Sequence, residues 1–372
     1  MTKATLPPFT PLVDSLPASV PFVGPEALER MHERAFLARI GANESVFGPS
    51  PLAIEAMQAE AKGVWQYGDP ENFELKQALA KKHGISADHI AIGEGIDGLL
   101  GYLVRLFVEA GVHVVTTDGA YPTFNYHVTG FGGHLHKVSF KDDREDPAAL
   151  LDKANEVGAR IIYLSNPNNP MGSTNPARII EDLADNLPPQ TLLCLDEAYA
   201  DFLDAAQMPD IAPDHPQIIR MRTFSKAYGM AGARIGYAIT HTELATAFHK
   251  IRNHFGMSRI SQAGALAALD DTGYLAAIRT KVGRALSDIA AIAVENGLAP
   301  LASATNFLAI DCGGDGRRAA KVMQSLISQG IFVRMPGTAP QNRCIRITAG
   351  TPEDCKHLAA CLPKALAAAK QN

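Results

Sequence analysis

Arg222-Thr223-Phe224-Ser225-Lys226-Ala227-Tyr228-Gly229-Met230-Ala231-Gly232-Ala233-Arg234-Ile235-Gly236 is the stretch on which the reading of this chain turns. A strand-like run, Ile218 to Thr223, delivers Ser225 and Lys226 at its end, and Arg234 follows among small residues. Lysine is the side chain that forms Schiff bases with carbonyl compounds, and a serine with an arginine beside it suits a phosphate. An isolated lysine is more simply a solvated surface charge. The weight therefore falls on what the rest of the chain brings to it.

Working outward, apolar strands alternate with helical segments, the pattern of a largely parallel sheet with helices on both faces. Each strand runs into a polar loop. His89 to Ile92 leads to Gly93-Glu94-Gly95-Ile96-Asp97, and Val112 to Thr116 leads to Tyr121-Pro122-Thr123-Phe124. Ile161 to Leu164 leads to Ser165-Asn166-Pro167-Asn168-Asn169-Pro170, and Leu192 to Leu195 to Asp196-Glu197-Ala198-Tyr199. Ligands of open α/β sheets bind at the carboxyl ends of strands, so these loops and Lys226 are expected to converge on one site. A further strand is expected at Ile235 to Ile239, then one long helical region from Glu243 past Arg284. Beyond Leu298 the pattern becomes α+β, with strands at Ala304 to Asp311, Ile331 to Arg334 and Cys344 to Thr348. The expected division is residues 1–40 as an N-terminal arm with part of a small domain, 41–270 as a large ligand-binding domain and 271–372 as the small domain.

The chain has 372 residues, 47% of them hydrophobic, and a net charge of −5, which gives no electrostatic reason to expect nucleic acid or an anionic membrane as partner. No apolar run approaches the length of a membrane span, and Met1 to Ser19 lacks the apolar core of a signal peptide. Five cysteines without a CxxC pair point to a reduced, cytoplasmic setting, and twelve histidines without metal spacing give no metal site. Gly93-Glu94-Gly95 before a helix suits a phosphate, although glycine pairs also simply make turns. Asp196 is either a cap or the partner of a cationic ligand group. In Cys344-Ile345-Arg346-Ile347-Thr348, alternation sets Arg346 opposite two isoleucines, facing a cleft or solvent. It is a surface ion-pair partner or a clamp for a carboxylate.

Taken together and in order, these motifs resemble the fold-type I pyridoxal-phosphate (PLP) aminotransferases, and among them the histidinol-phosphate aminotransferase-like group. The likeness runs from Pro21 to the end. It adds Asn43-Glu44 before Gly48-Pro49-Ser50-Pro51, Tyr67 before Asp69-Pro70, Asn169-Pro170 before Gly172, and Arg346-Ile347 before Gly350-Thr351. The resemblance implies that Lys226 carries PLP as a Schiff base and moves a proton between the substrate Cα and the cofactor C4′. It implies that Asp196 pairs with the pyridine nitrogen, that Asn169 and Tyr199 bond the ring oxygen, and that Phe124 stacks on the ring. Gly95, Ile96, Asp97, Thr223, Ser225 and Arg234 would surround the phosphate, joined by Tyr67 of a second subunit in a homodimer. Arg346 would bind the α-carboxylate, with Arg334, Asn43 and Phe22 near the substrate.

Three departures bear on the substrate. Phe22 stands where a tyrosine is usual and so lacks a hydroxyl for substrate phosphate. His254-Phe255-Gly256-Met257-Ser258 replaces a more polar segment, and Ile96 stands where a small residue is common. The expected activity is transfer of an amino group from histidinol phosphate or an aromatic amino acid to a 2-oxo acid such as 2-oxoglutarate. The alternative on the same scaffold is a PLP decarboxylase resembling threonine-phosphate decarboxylase. A PLP-sensing regulatory module is remote, because the likeness begins too early to leave room for a DNA-binding domain.

Overall fold

Strands buried on both faces read as unbroken apolar runs, since neither face meets water. The computed structural model describes residues 6–18 and 23–370. Its large sheet has seven strands: β1 (Ile90–Gly93), β2 (His113–Thr117), β3 (His134–Val138), β4 (Ile161–Ser165), β5 (Leu192–Asp196), β6 (Ile218–Thr223) and β7 (Gly236–Thr240). Their order is β1-β7-β6-β5-β4-β2-β3. Only β7 is antiparallel to its neighbours, so the others point their carboxyl ends at one edge. Every residue of β4 and β5 is buried. Strand β3, which the sequence reading missed, is the sheet edge. Its His-Leu-His-Lys-Val is too polar to read as an apolar run, yet charge on an edge strand is a normal guard against pairing with another chain.

Helices cover both faces. The helices α1 (Pro51–Glu60), α2 (Phe73–His83) and α3 (Gly95–Phe107) precede the second strand. In α3, Ile96, Leu99, Leu100, Leu103 and Val104 recur at helical spacing and join the core beneath the sheet. The expected single helical region from Glu243 onward is three pieces instead. Thr242–Ala247 stops before a loop, and then come α4 (Arg259–Asp270) and α5 (Thr272–Glu295). The breaks lie at residues that compete for backbone hydrogen bonds. Ser258 caps α4 by accepting from the Ser261 N–H at 3.1 Å, and Asp271 caps α5 by accepting from Tyr274 at 3.1 Å.

A second core gathers Ala38 and Ile40 with Ile310, Val322, Leu326, Ile345, Ile347 and Leu358. It lies between helices α6 (Gly316–Ser328) and α7 (Pro352–Lys370) and a sheet holding β8 (Phe307–Asp311) and β9 (Cys344–Thr348). The segment Ala38 to Ile40 joins it, because Ala38–Arg39 pairs in parallel with Ile331–Phe332. Helix α5 serves both bodies. Ile278, Val282 and Ala285 pack with Phe47 and Phe202, whereas Ile289 and Ala293 enter the second core. Among the described residues no helix is long and apolar enough to cross a membrane.

Two glycines bring the large sheet and α3 together. A Cβ on Gly236 would lie 2.7 Å from the Gly95 carbonyl carbon and 2.8 Å from the Ile96 nitrogen. Gly95 has φ +77°, and its Cβ would lie 2.6 Å from the Arg234 guanidinium. Gly236→Ala is expected to cost about 1–3 kcal/mol by overpacking. Gly283→Ala, in the exposed middle of α5 with nothing within 4 Å, is expected to gain about 0.8–1 kcal/mol of helix propensity. Denaturant midpoints of the two variants should move in opposite directions.

Candidate active site

The carboxyl ends of the strands enclose a cavity of about 300 Å³. Asp196 closes β5 level with Ser165 of β4, and it is 5% exposed. Its Oδ2 accepts from the Tyr163 hydroxyl at 2.7 Å and its Oδ1 from the Ala198 N–H at 2.9 Å. Among the described residues it has no salt-bridge partner. Burial therefore raises its carboxyl to about 6, against the opposing pull of the Tyr163 hydrogen bond. A buried carboxylate aimed at a cavity and short of a cation is a receptor for a ligand N–H⁺.

Lys226 follows β6 and faces the same cavity. Its Nζ donates to the Asn43 carbonyl at 3.2 Å and stands 5.7 Å from the centre of the Tyr199 ring. Burial, reinforced by the charge of Arg346, lowers the amine to about 8. Tyr199 is buried, its hydroxyl accepts from Asn43 Nδ2 at 2.9 Å, and desolvation lifts it to about 12.

The opposite end of the cavity is built for an anion. The first turn of α3 presents Ile96 and Asp97, and Ser225 and Arg234 stand beside it. Unpaired N–H groups and the positive end of a helix favour a phosphate at that point. Thr223 sets Ser225: its Oγ1 donates to Ser225 Oγ at 2.9 Å and accepts from the Ser225 N–H at 3.1 Å. Arg234 holds a left-handed backbone, φ 55°, and half of its side chain stays exposed, 3.7 Å from Asp97 Oδ2. A planar ring with a cationic nitrogen, a carbonyl and a phosphate fits these three stations, which is the outline of PLP.

Ile96, Asp97, Asn169, Asp196, Tyr199, Thr223, Ser225, Lys226 and Arg234 thus line one cavity, with Gly95 directly behind. Other expected residues lie elsewhere. Phe124 does not reach the cavity. It is fully buried and stacks on Tyr163 with centroids 4.5 Å apart, because the helix beginning at Pro122 turns Phe124 and Val128 toward the sheet. The aromatic on the cavity wall is Tyr121, just before that helix, with its hydroxyl 2.9 Å from Asp97 Oδ1. Asn43 is buried and spends its side chain on Tyr199 and Thr348. Tyr67 is 77% exposed outside the cavity, its ring 4.7 Å from that of Phe255. Phe22 lies outside the described residues.

The two arginines are set back from the wall. Arg346 donates to Asn169 Oδ1 and to the Gly41 carbonyl, and its Nε is buried without a partner among the described residues. Arg334 lies over the Phe332 ring at 5.3 Å and donates to the Val23 carbonyl. Sequence reasoning missed Tyr163, which supports Asp196, and Asn306, whose Nδ2 donates to the Asn43 carbonyl at 3.1 Å. Tyr163 had a signal: a phenol inside an aliphatic parallel strand must find an acceptor. Asn306 had none, because its partner is remote in sequence.

Fold and site together define a PLP-dependent transferase. The family model for aminotransferase class I and II matches residues 38–362, and the chain belongs to that family. Its cofactor is PLP. Among similar proteins is a histidinol-phosphate aminotransferase from Sinorhizobium meliloti, solved in complex with pyridoxal-5′-phosphate. It is 53% identical, covers 98% of this chain and 99% of its own, and superposes with a TM-score of 0.95. Histidinol-phosphate aminotransferase 2 of Pseudomonas fluorescens is 30% identical over 90% of both chains. Histidinol-phosphate aminotransferase 1 of Cupriavidus pinatubonensis is 32% identical over 90% of this chain and 89% of its own. An aspartate aminotransferase of Thermus thermophilus, 21% identical with a TM-score of 0.82, shares the fold.

Cofactor uptake should follow the two shifted groups. The neutral amine is the reactive form of Lys226, so the rate of PLP uptake by apoprotein should rise through pH about 8 and then level. Ionised Asp196 is the form that pairs with a cationic ring, so affinity should fall as pH drops below about 6. Absorbance titrations over the range between these limits and beyond would measure both. A rate still climbing toward the ordinary lysine value of 10.5 would show that the amine is not desolvated.

Proposed function

We propose that this chain moves the amino group of histidinol phosphate to a 2-oxo acid such as 2-oxoglutarate, acting as a homodimer in the cytoplasm. The observation that carries the reading is the pair Arg346 and Arg334. Their backbones are bridged, Arg346 N to Arg334 O at 2.6 Å, so two guanidinium-bearing residues are held side by side behind Asn169 of the cavity wall. The buried Arg346 Nε still lacks an acceptor among the described residues. A phosphate or a dicarboxylate suits two guanidinium groups better than a neutral side chain does. The three relatives named above that are histidinol-phosphate aminotransferases favour the phosphate-bearing donor.

Dimerisation is supported by an aromatic surface. Trp65 is 80% exposed, Tyr67 77%, Phe73 58% and Phe255 52%, an apolar display that suits a partner better than water. A second copy seated there would offer its Tyr67 to the phosphate end of this cavity.

When bound, PLP supplies an electron-withdrawing ring that acidifies the donor's Cα–H. Asp196 would pair with the ring nitrogen and keep it protonated. Tyr199 and Asn169 would donate to the ring oxygen, and Asn43 fixes the Tyr199 hydroxyl. Ser225, Arg234 and the N–H groups of Ile96 and Asp97 would hold the phosphate. Lys226 takes the proton from Cα, and an amine near 8 both accepts and returns a proton close to neutrality. Arg346 orients the substrate's anionic group.

Lys226→Ala should abolish the cofactor's protein-bound absorbance and lower turnover by at least about 100-fold. Arg346→Ala should leave that absorbance intact and raise KM for the oxo acid about tenfold or more, as expected for a lost charged hydrogen bond. With a panel of donors, histidinol phosphate should convert the cofactor to its amine form fastest and give an oxo product. Release of carbon dioxide from an amino acid donor would instead establish the decarboxylase, and inertness to every donor would end the aminotransferase reading.

A further inference from the structure

Asp142 (φ 50°) and Asp143 (φ 58°) are the two corners of a tight turn, closed by hydrogen bonds of 2.9 Å in both directions between Lys141 and Arg144. Such turns favour Asn-Gly or Gly-Gly, because a Cβ is strained at each left-handed corner. Two consecutive aspartates are therefore an outlier, and strain that persists is held by surrounding contacts. The exposed Asp142 makes none that explains it. Asp143 does.

Its carboxylate takes a two-pronged contact from Arg343 of the small domain, Nη1 to Oδ1 at 3.0 Å and Nη2 to Oδ2 at 2.6 Å. Gln341 Nε2 adds a bond at 3.2 Å, and Arg343 Nε is held by Asp311 Oδ2 at 2.7 Å. On the other side of the turn, the buried Glu145 accepts from Thr117 Oγ1 at 2.7 Å, Ser165 Oγ at 2.6 Å and Asn168 Nδ2 at 2.6 Å. Asn168 precedes Asn169, whose Oδ1 receives Arg346. Arg343 leads straight into β9, which carries Arg346. The contacts form a closed ring: Arg343, Asp143, Glu145, the Asn168-Asn169 loop, Arg346 and back along β9.

We propose that Asp143 is a positioning residue. Its clasp on Arg343 fixes β9 against the Asn169 loop and so sets the affinity of Arg346 for the substrate's anionic group, from outside the cavity and without touching substrate. The inference rests on Arg346 meeting that anion, as proposed above. Because the clasp ties Asp143 to Arg343, its loss lets β9 shift relative to Asn169, while Asp196, Lys226 and the first turn of α3, none of which contacts Asp143 or Arg343, stay in place.

The test compares two substitutions with the same backbone effect. Asp142→Gly and Asp143→Gly each relieve one left-handed corner, and only the second removes the clasp. Holoenzyme is titrated with maleate, a dicarboxylate that cannot react, following the cofactor absorbance. Asp143→Gly should weaken maleate about tenfold and raise the oxo-acid KM in parallel, with cofactor absorbance unchanged. Asp142→Gly should match the unmodified protein, and Asp143→Asn, which tolerates the corner and keeps an acceptor, should fall between. Equal maleate affinity in the two glycine variants overturns the proposal, and if Asp143→Gly does not fold, Asp143→Asn against Asp142→Gly decides in the same way. Arg346→Ala is titrated alongside: if it too binds maleate normally, the underlying reading of Arg346 has failed, not the clasp alone.

Discussion

A carboxylate taken out of water without a cation is an unfavourable thing to build, and the site is arranged about one. Asp196 ends a strand buried along its whole length, and among the described residues its two oxygens find only a phenol and a backbone N–H. Sharing the cavity is an amine that burial pushes toward neutrality. Each group is held away from its ordinary protonation preference by the same desolvation. A ligand that brings a ring N–H⁺ to one and a carbonyl to the other relieves both.

The scaffold makes this possible through sheet direction. Strands β1, β4, β5 and β6 all deliver their last residues to one edge, and the reversed β7 begins there. The glycines at 95 and 236 then let the amino end of α3 come against that edge with Arg234 between. The shape of this end of the cavity is thus a property of backbone geometry at two residues as much as of the polar side chains.

Much of this could be read in the residues. Parallel strands announce themselves as apolar runs, and each functional side chain of the cofactor end sits within a few positions of a strand terminus, so linear order encoded spatial convergence. Phe124 was misread because the aromatic's orientation depends on where the helix at Pro122 starts, and Tyr121 took the place on the wall. Strand β3 escaped because an edge strand need not be apolar, and the breaks at Ser258 and Asp271 escaped because capping residues resemble ordinary polar positions. The arginines' surroundings were illegible for another reason. Val23, Gly41, Asn169 and Phe332 come from separate parts of the chain, and no local pattern encodes their meeting.

Helix α5 has a mechanical meaning. Its amino half is seated on Phe47 and Phe202 and its carboxyl half among Ile289, Ala293 and their neighbours. One unbroken rod is therefore embedded in two bodies at once. Either body can tilt against the other only by flexing that rod or by sliding its packed face, and a smoothly bent α-helix resists sharp angles. Any rocking of one body against the other must accordingly be taken up along this one helix, which carries the exposed Gly283 at its middle.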